Sequence, residues 1–223
     1  MCGRMSLFVP DAALEERFDA DLAEPLVPRY NVAPREDVAV IRTETPGRID
    51  LRQWGLIPSW AGDSSTSFIN ARAETAAEKP AFREAYRSRR CLVLADGFYE
   101  WQDVERGPKQ PYRVERTDDE PFAMAGLYER WTGGDEPLET VTVLTCEPNG
   151  LMAKLHDRMP VVLPPAKERR WLDPDCEDLL ASREWPDFHA YPISRAVNDP
   201  SNDSPSIVEA VEPDEQTGLD EFA

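Results

Sequence analysis

The 223-residue sequence is short of histidine, cysteine and lysine, and each shortage removes a class of chemistry. Its four cysteines, Cys2, Cys91, Cys146 and Cys176, lie far apart without a C-x-x-C pair. That spacing argues against a zinc site and against a secreted disulfide framework. No apolar run approaches the roughly 20 residues of a membrane span, and the N-terminus lacks the basic-then-apolar layout of a signal peptide. No G-x-G-x-x-G, Walker loop, H-E-x-x-H or G-x-S-x-G occurs, so no familiar phosphate cradle, zinc-protease helix or nucleophile elbow is legible. The expectation is a soluble, cytoplasmic protein with no metal and no other cofactor.

Lysine is confined to Lys79, Lys109, Lys154 and Lys167, and the 25 basic residues face 43 acids for a formal net charge of −18. Acid excess of this size maintains solubility at high ionic strength, which suggests a salt-loving source; an acidic protein of an ordinary cell fits the composition too. It disfavours nucleic-acid binding driven by net charge but leaves room for a local basic groove. The charge is uneven. From Asp199 onward there are eight acids and no Lys or Arg, with few large apolar residues, so residues 199–223 read as an acidic, partly disordered tail. The opposite extreme is KPAFREAYRSRR (residues 79–90), where one acid, Glu84, stands among five basic residues.

A hydrophobic share of 41% supplies one core, and the length fits one domain, placed at residues 1–198. Leu14, Phe18 and Leu22 recur at helical spacing in PDAALEERFDADL (residues 10–22). DVAVIR and IDLRQW alternate as paired strands around TPG, and AETAAEKPAFREAYRSR predicts helix broken near Pro80. CLVLADGFYEW reads as a buried strand, an Asp96-Gly97 turn and a second extended piece. PYRVER, PFAMAGLYERW and ETVTVLTC add strands. PAKERRWL and CEDLLAS predict short helices before FHAYPIS. Strands and helices mix without a βαβ rhythm, so the class is α+β.

A few residues stand out chemically. The small side chain of Cys2 permits aminopeptidase removal of Met1, which would leave an α-amine and a thiol on adjacent carbons; a packed structural cysteine is the plain alternative. His156, in KLHDRMP, has polar neighbours, whereas His189 reads as structural. Glu100 sits between aromatics in GFYEW, where desolvation would raise its pKa, or else it faces outward from its strand. Asn70 and Arg72 of INARAET share a face if extended and suit an anion or carbonyl; Asn70 equally suits a helix cap.

Taken in order, MCGR, PRYNVAP, WGLIPSW, INARAET, RRCLVLADGFYEW, MAGLYERW, LHDRMPVVL and YPISRAV resemble the SOS response-associated peptidase (SRAP) family, whose members recognise abasic sites in single-stranded DNA. The resemblance runs from residue 1 to 197. It implies one α+β domain whose antiparallel strands form a half-open, barrel-like core flanked by helices. It places Cys2 on the catalytic N-terminal cysteine and Asn70, Glu100 and His156 on the other active-site positions. Arg4, Arg72 and Arg158 fall where phosphates are met, and Trp60 on a base-stacking wedge. Ala61 departs from the second tryptophan that some members carry there.

The implied reaction is a thiazolidine crosslink between Cys2 and the abasic aldehyde, made by a monomer associated with the nucleoid during the DNA damage response. The family name adds peptidase activity, read as self-removal of Met1 or of a crosslinked peptide. Replication-associated partners are not legible. Two other classes stay open: an N-terminal-nucleophile amidohydrolase using the Cys2 thiol, and a noncatalytic single-stranded DNA-binding module built on Trp60 and the arginines.

Overall fold

Two sheets make up the domain, and the chain crosses between them at Asp96. The computed structural model describes residues 2–104, 107–173 and 179–212. The apolar runs form strands β1 (Met5–Leu7), β2 (Asp21–Leu22), β3 (Arg29–Val32), β4 (Asp37–Arg42), β5 (Thr45–Trp54), β6 (Asn70–Arg72), β7 (Arg90–Ala95), β8 (Gly97–Gln102), β9 (Gln110–Arg116), β10 (Phe122–Trp131), β11 (Leu138–Cys146), β12 (Met159–Pro160) and β13 (Phe188–Pro192). The helices are short: α1 (Asp11–Phe18), α2 (Ala73–Ala76), α3 (Arg83–Ser88) and α4 (Glu168–Trp171). No helix among the described residues is long and apolar enough to cross a membrane.

The first sheet curls into a ring. Strands β5, β4, β7, β10 and β11 pair in turn, and β11 returns to β5 through Thr140 opposite Gln53 and Val141 opposite Trp54. Beyond those two pairs the same edge of β11 takes β6 instead, with Val143 opposite Asn70 and Thr145 opposite Arg72. The barrel is therefore closed at one end and fitted with a separate strand at the other. Both edge pairings are parallel, as is β2 with β5, so the antiparallel frame expected from the sequence carries three parallel additions. Gly55 makes the seam: its φ of +126° is a conformation side-chained residues avoid, and its N–H donates to the Val141 carbonyl at 2.8 Å. Every residue of β7 is buried, which explains a continuous apolar run rather than an alternating one.

The second sheet has the order β13-β9-β8-β1-β3, with antiparallel neighbours throughout. It lies across the barrel, and the two meet where β7 ends and β8 begins. Here the expected Asp96-Gly97 turn is a corner between sheets rather than a hairpin. The Asp96 carboxylate accepts from Ser6 Oγ at 2.6 Å and from the backbone N–H groups of Phe8 and Val9 at 2.5 and 3.2 Å. Arg113, only 1% exposed, lies 3.3 Å from Asp96 Oδ1 and donates to Ser6 Oγ at 2.6 Å and Glu115 at 2.5 Å. A buried guanidinium needs such partners, because an unpaired charge there costs several kcal/mol.

Three boundaries differ from the sequence expectation. Asp19 adopts φ +49° and ends α1 at Phe18, so Leu22 pairs opposite Ile49 in β2 instead of extending the helix. The turn before β5 falls at residues 43–44, and TPG belongs to the strand. The acidic segment from Asp199 packs against the domain as far as residue 212: Asp203 accepts from the N–H groups of Tyr30 and Asn31, and Ile207 is buried. Its continuation, residues 213–223, lies outside the described residues, as do residues 176–178 of CEDLLAS.

Gly97 packs so closely under Arg113 that a Cβ would overlap the guanidinium. Gly97→Ala should therefore lose about 1–3 kcal/mol of stability, the usual cost of overpacking a filled interior. Urea denaturation checks this, and an unchanged midpoint would contradict the tight corner.

Candidate functional site

The N-terminal arm runs along β8. Met5 pairs with Phe98 and Ser6 with Gly97, and Tyr99 N–H donates to the Arg4 carbonyl at 3.0 Å. Continued by the same antiparallel register, this ladder brings Cys2 and Gly3 alongside Glu100 and Trp101. From the other side Asn70 reaches in: its Nδ2 donates to the Cys2 carbonyl at 2.7 Å. Asn70 is thus no helix cap; Arg72 precedes α2, which has no side-chain cap. Its Oδ1 is buried without a hydrogen-bond partner among the described residues.

Burial dominates the electrostatics. Cys2 is wholly buried, and desolvation pushes its thiol far above the ordinary range, with nearby Glu100 adding to the effect. Glu100 is 1% exposed, and burial raises its carboxyl from 4.5 to about 7. A carboxyl poised there is present in both protonation states at neutral pH, as proton transfer in both directions requires. The outward-facing alternative for Glu100 is excluded by its burial.

His156 comes from the loop after the 3-10 turn Met152–Lys154. That loop is tied to β8 by Gln102 Nε2, which donates to the Lys154 carbonyl at 2.8 Å, and Asp157 is close enough to add to the upward shift of Glu100. His156 Nδ1 accepts from the Arg158 N–H at 3.0 Å, which leaves the proton of the neutral ring on Nε2. Partial burial lowers the imidazole pKa, so this neutral tautomer prevails near pH 7. Nδ1 also lies 2.8 Å from the exposed Asp157 carboxylate.

The four arginine and tryptophan positions separate into different roles. Arg72 is exposed on β6. Arg158 is carried in by the β11–β12 pairing and is gripped by Glu74, Nη1 to Oε1 and Nη2 to Oε2 both at 2.8 Å, while Nη2 also donates to the Thr145 carbonyl at 2.6 Å. Trp60 is 61% exposed beside Pro80, far more open than any other aromatic among the described residues. Arg4 turns inward: Nη1 donates to Asn31 Oδ1 at 2.6 Å and to the Val197 carbonyl at 2.7 Å. Asn31 is a buried hub, its amide also donating to the carbonyls of Val197, Asp199 and Asn202.

The basic run at residues 79–90 divides similarly. Arg90 is buried over Tyr86 and Trp171, and Arg89 pairs with Glu129 at 2.8 Å. Lys79, Arg83 and Arg87 remain exposed, the two arginines beside Glu84 and Lys79 next to the Pro80 carbonyl that Trp60 Nε1 meets. Sequence reasoning missed Glu74, Asn31 and Arg113. The first two lay inside quoted motifs, INARAET and PRYNVAP, and an arginine inside the alternating PYRVER was a detectable sign of a buried charge. His189 pairs with Glu115 at 3.1 Å, as a structural role requires. Among the described residues no group of three or more His, Cys, Asp and Glu is placed to hold a metal ion.

Comparison with known proteins places this arrangement. The profile described as SOS response associated peptidase (SRAP) matches residues 1–200. The chain is 42% identical to abasic site processing protein YoqW of Bacillus subtilis, with 94% of this chain and 100% of that protein covered. It is 32% identical to abasic site processing protein YedK of Escherichia coli, over 95% of this chain and all of that protein. A crystal structure of a Bacteroides thetaiotaomicron protein superposes with a TM-score of 0.83 at 29% identity, covering 95% of this chain and 100% of that one. With the profile spanning the barrel, the second sheet and the N-terminal arm, the chain belongs to the SRAP family.

Proposed function

We propose that this protein recognises abasic sites in single-stranded DNA and captures them covalently through Cys2 once Met1 has been removed. The observation that carries the reading is the convergence on one N-terminal residue. The Asn70 amide holds the Cys2 carbonyl at 2.7 Å, and the buried Glu100, poised at about 7, is near enough for its charge to act on the Cys2 thiol. The relatives named as abasic site processing proteins supply the substrate.

The chemistry follows from the residue types. The ring-opened abasic deoxyribose presents an aldehyde. The α-amine of Cys2 adds to it to give a carbinolamine; loss of water gives a Schiff base. The thiol then adds across C=N and closes a five-membered thiazolidine, so the net change is aldehyde plus aminothiol to thiazolidine plus water. Both nucleophiles sit on adjacent carbons, which makes the second addition intramolecular. The amine, with an ordinary pKa of about 7.7–8.0, leads, because burial keeps the thiol protonated at neutral pH. That order disfavours a hydrolase, which needs the thiolate to attack an amide.

Glu100 takes the ammonium proton and returns one to the departing hydroxyl. Asn70 orients the arm through Nδ2, and its buried Oδ1 supplies an acceptor for the new amine. His156, protonated on Nε2, donates to the sugar ring oxygen during opening. The family's peptidase activity is read here as removal of Met1 or of a crosslinked peptide. Arg72 and Trp60 meet the strand outside the reacting centre, with Arg158 behind them.

Three measurements test the proposal. Incubated with abasic single-stranded DNA, the mature protein should give a heat-stable band on a denaturing gel, and Cys2→Ala should abolish that band while sparing noncovalent binding. Intact mass spectrometry that finds Met1 retained on crosslink-competent protein would sink the mechanism.

Glu100→Gln should slow crosslinking by roughly 10²–10⁴-fold, the span of general acid–base catalysis. Since burial raises this carboxyl to about 7, its ionised fraction grows through neutral pH, and the matching limb of the wild-type pH–rate profile should vanish in the variant. Identical profiles would remove Glu100 from the reaction.

The third concerns salt. At a net charge of −18, long-range steering of DNA is repulsive, so stacking on Trp60 and the covalent bond hold the strand where phosphate contacts weaken. Crosslinking should persist into molar potassium chloride and fall with Trp60→Ala. Loss of crosslinking at high salt with the circular dichroism unchanged would refute this.

A further inference from the structure

An arginine offered to a phosphate is expected to present a free fork, yet Arg158 does not. Both of its terminal nitrogens are bound in parallel by the Glu74 carboxylate, at 2.8 Å each, in the two-pronged geometry with which arginine holds a phosphate. The guanidinium is otherwise fixed: Nη2 donates to the Thr145 carbonyl at 2.6 Å, and Nε is buried without a partner among the described residues. Glu74 is the mobile member of the pair. Its side chain is 47% exposed against 12% for Arg158, so it can leave for water while the arginine stays.

Position reinforces this asymmetry. Glu74 stands two residues after the exposed Arg72, whose charge acts on it, and the end of β11 links the two neighbourhoods: Thr145 pairs with Arg72 in β6 on one edge and with Pro160 in β12, two residues after Arg158, on the other. One carboxylate thus answers to two guanidinium groups: it is bound to Arg158 and feels the charge of Arg72, two residues from the Asn70 that holds the Cys2 carbonyl. Both bonds to Arg158 hold its carboxyl below the usual range, so it is ionised at any pH where DNA binds.

We infer that Glu74 is a resident stand-in for a DNA phosphodiester, which keeps the Arg158 fork shaped for phosphate and must be displaced before a strand can seat. Resting on the DNA-binding reading above, this makes Glu74 a specificity-determining residue. Its competition weakens binding to every phosphodiester alike, damaged or intact. Undamaged strand, which has no aldehyde to react, is then released, while an abasic strand is retained by the covalent step. The device suits a site whose noncovalent contacts carry no information about the lesion.

The test is fluorescence-anisotropy titration of an unmodified single-stranded oligonucleotide from low to high potassium chloride, using wild type, Glu74→Gln, Arg158→Gln and the double variant. Glu78→Gln, an exposed acid four residues away, controls for loss of one negative charge. The expected result for Glu74→Gln is binding roughly 1.5- to 5-fold tighter at low salt, matching the modest strength of a partly exposed ion pair. Its log–log salt slope should steepen by about 0.7, one further phosphate contact on a single strand. The Arg158→Gln background should abolish both gains, and Glu78→Gln should produce neither. A gain that survives in that background, or equals that of Glu78→Gln, overturns the inference, as does unchanged or weaker binding by Glu74→Gln. Failure of wild type to bind or crosslink abasic DNA at all would instead overturn the functional reading.

Discussion

Everything near the site depends on how β11 spends its free edge. Had that edge paired with β5 along its whole length, the barrel would be sealed and β6 would have no place. Pairing with β5 stops after Val141, Gly55 turns the chain away, and β6 takes the remaining edge with Asn70 opposite Val143. On its far side the end of β11 holds β12, which carries Arg158 and the His156 loop. A backbone ladder therefore fixes these side chains relative to each other, and Asn70 transfers that frame to the N-terminal arm with one hydrogen bond.

Charge is managed by pairing. The arginines of this acid-rich chain are mostly committed within the fold: Arg113 to Asp96 and Glu115, Arg42 to Asp50 and Glu139, Arg29 to Glu36 and Asp203, Arg17 to Glu168. Such pairs let a planar, always-charged group lie against aromatic and apolar surroundings. They also mean that the acidic excess is presented at the surface while much of the positive charge is internal. Arg72 and the exposed members of the basic run are consequently conspicuous against their background.

Much of this was legible in the sequence because burial writes itself into composition. CLVLA reads as a buried strand and PFAMAGLYERW as a further strand, and each formed one, covered on both faces over nearly its whole length. GFYEW gave Glu100 away by surrounding an acid with aromatics. What could not be read was partnership across distance. INARAET does not say whether Asn70 caps a helix or holds an arm 68 residues away, and nothing local to PRYNVAP indicates that Asn31 joins the two ends of the domain. Arg4 illustrates the same limit: its motif position suggests an outward charge, but its Nη1 is spent on Asn31 and Val197. Nor does anything local show that residues 199–212, though mostly exposed, are tied to the domain, with Asp203 serving as the acceptor for two β3 backbone amides.

That hub at Asn31 has a consequence in time as well as space. Arg4, two residues from the reactive end, finds one of its two partners at Val197, and β3 is bonded to Asp203. A ribosome makes the arm well before Val197 and Asp203. Until they emerge, the arm has β8, Asn70 and Asn31 to dock on but lacks the Val197 carbonyl that completes the hold on Arg4. The final seating of the arm therefore follows the making of the strands it lies on, and its last hold comes from a segment almost two hundred residues away in the chain.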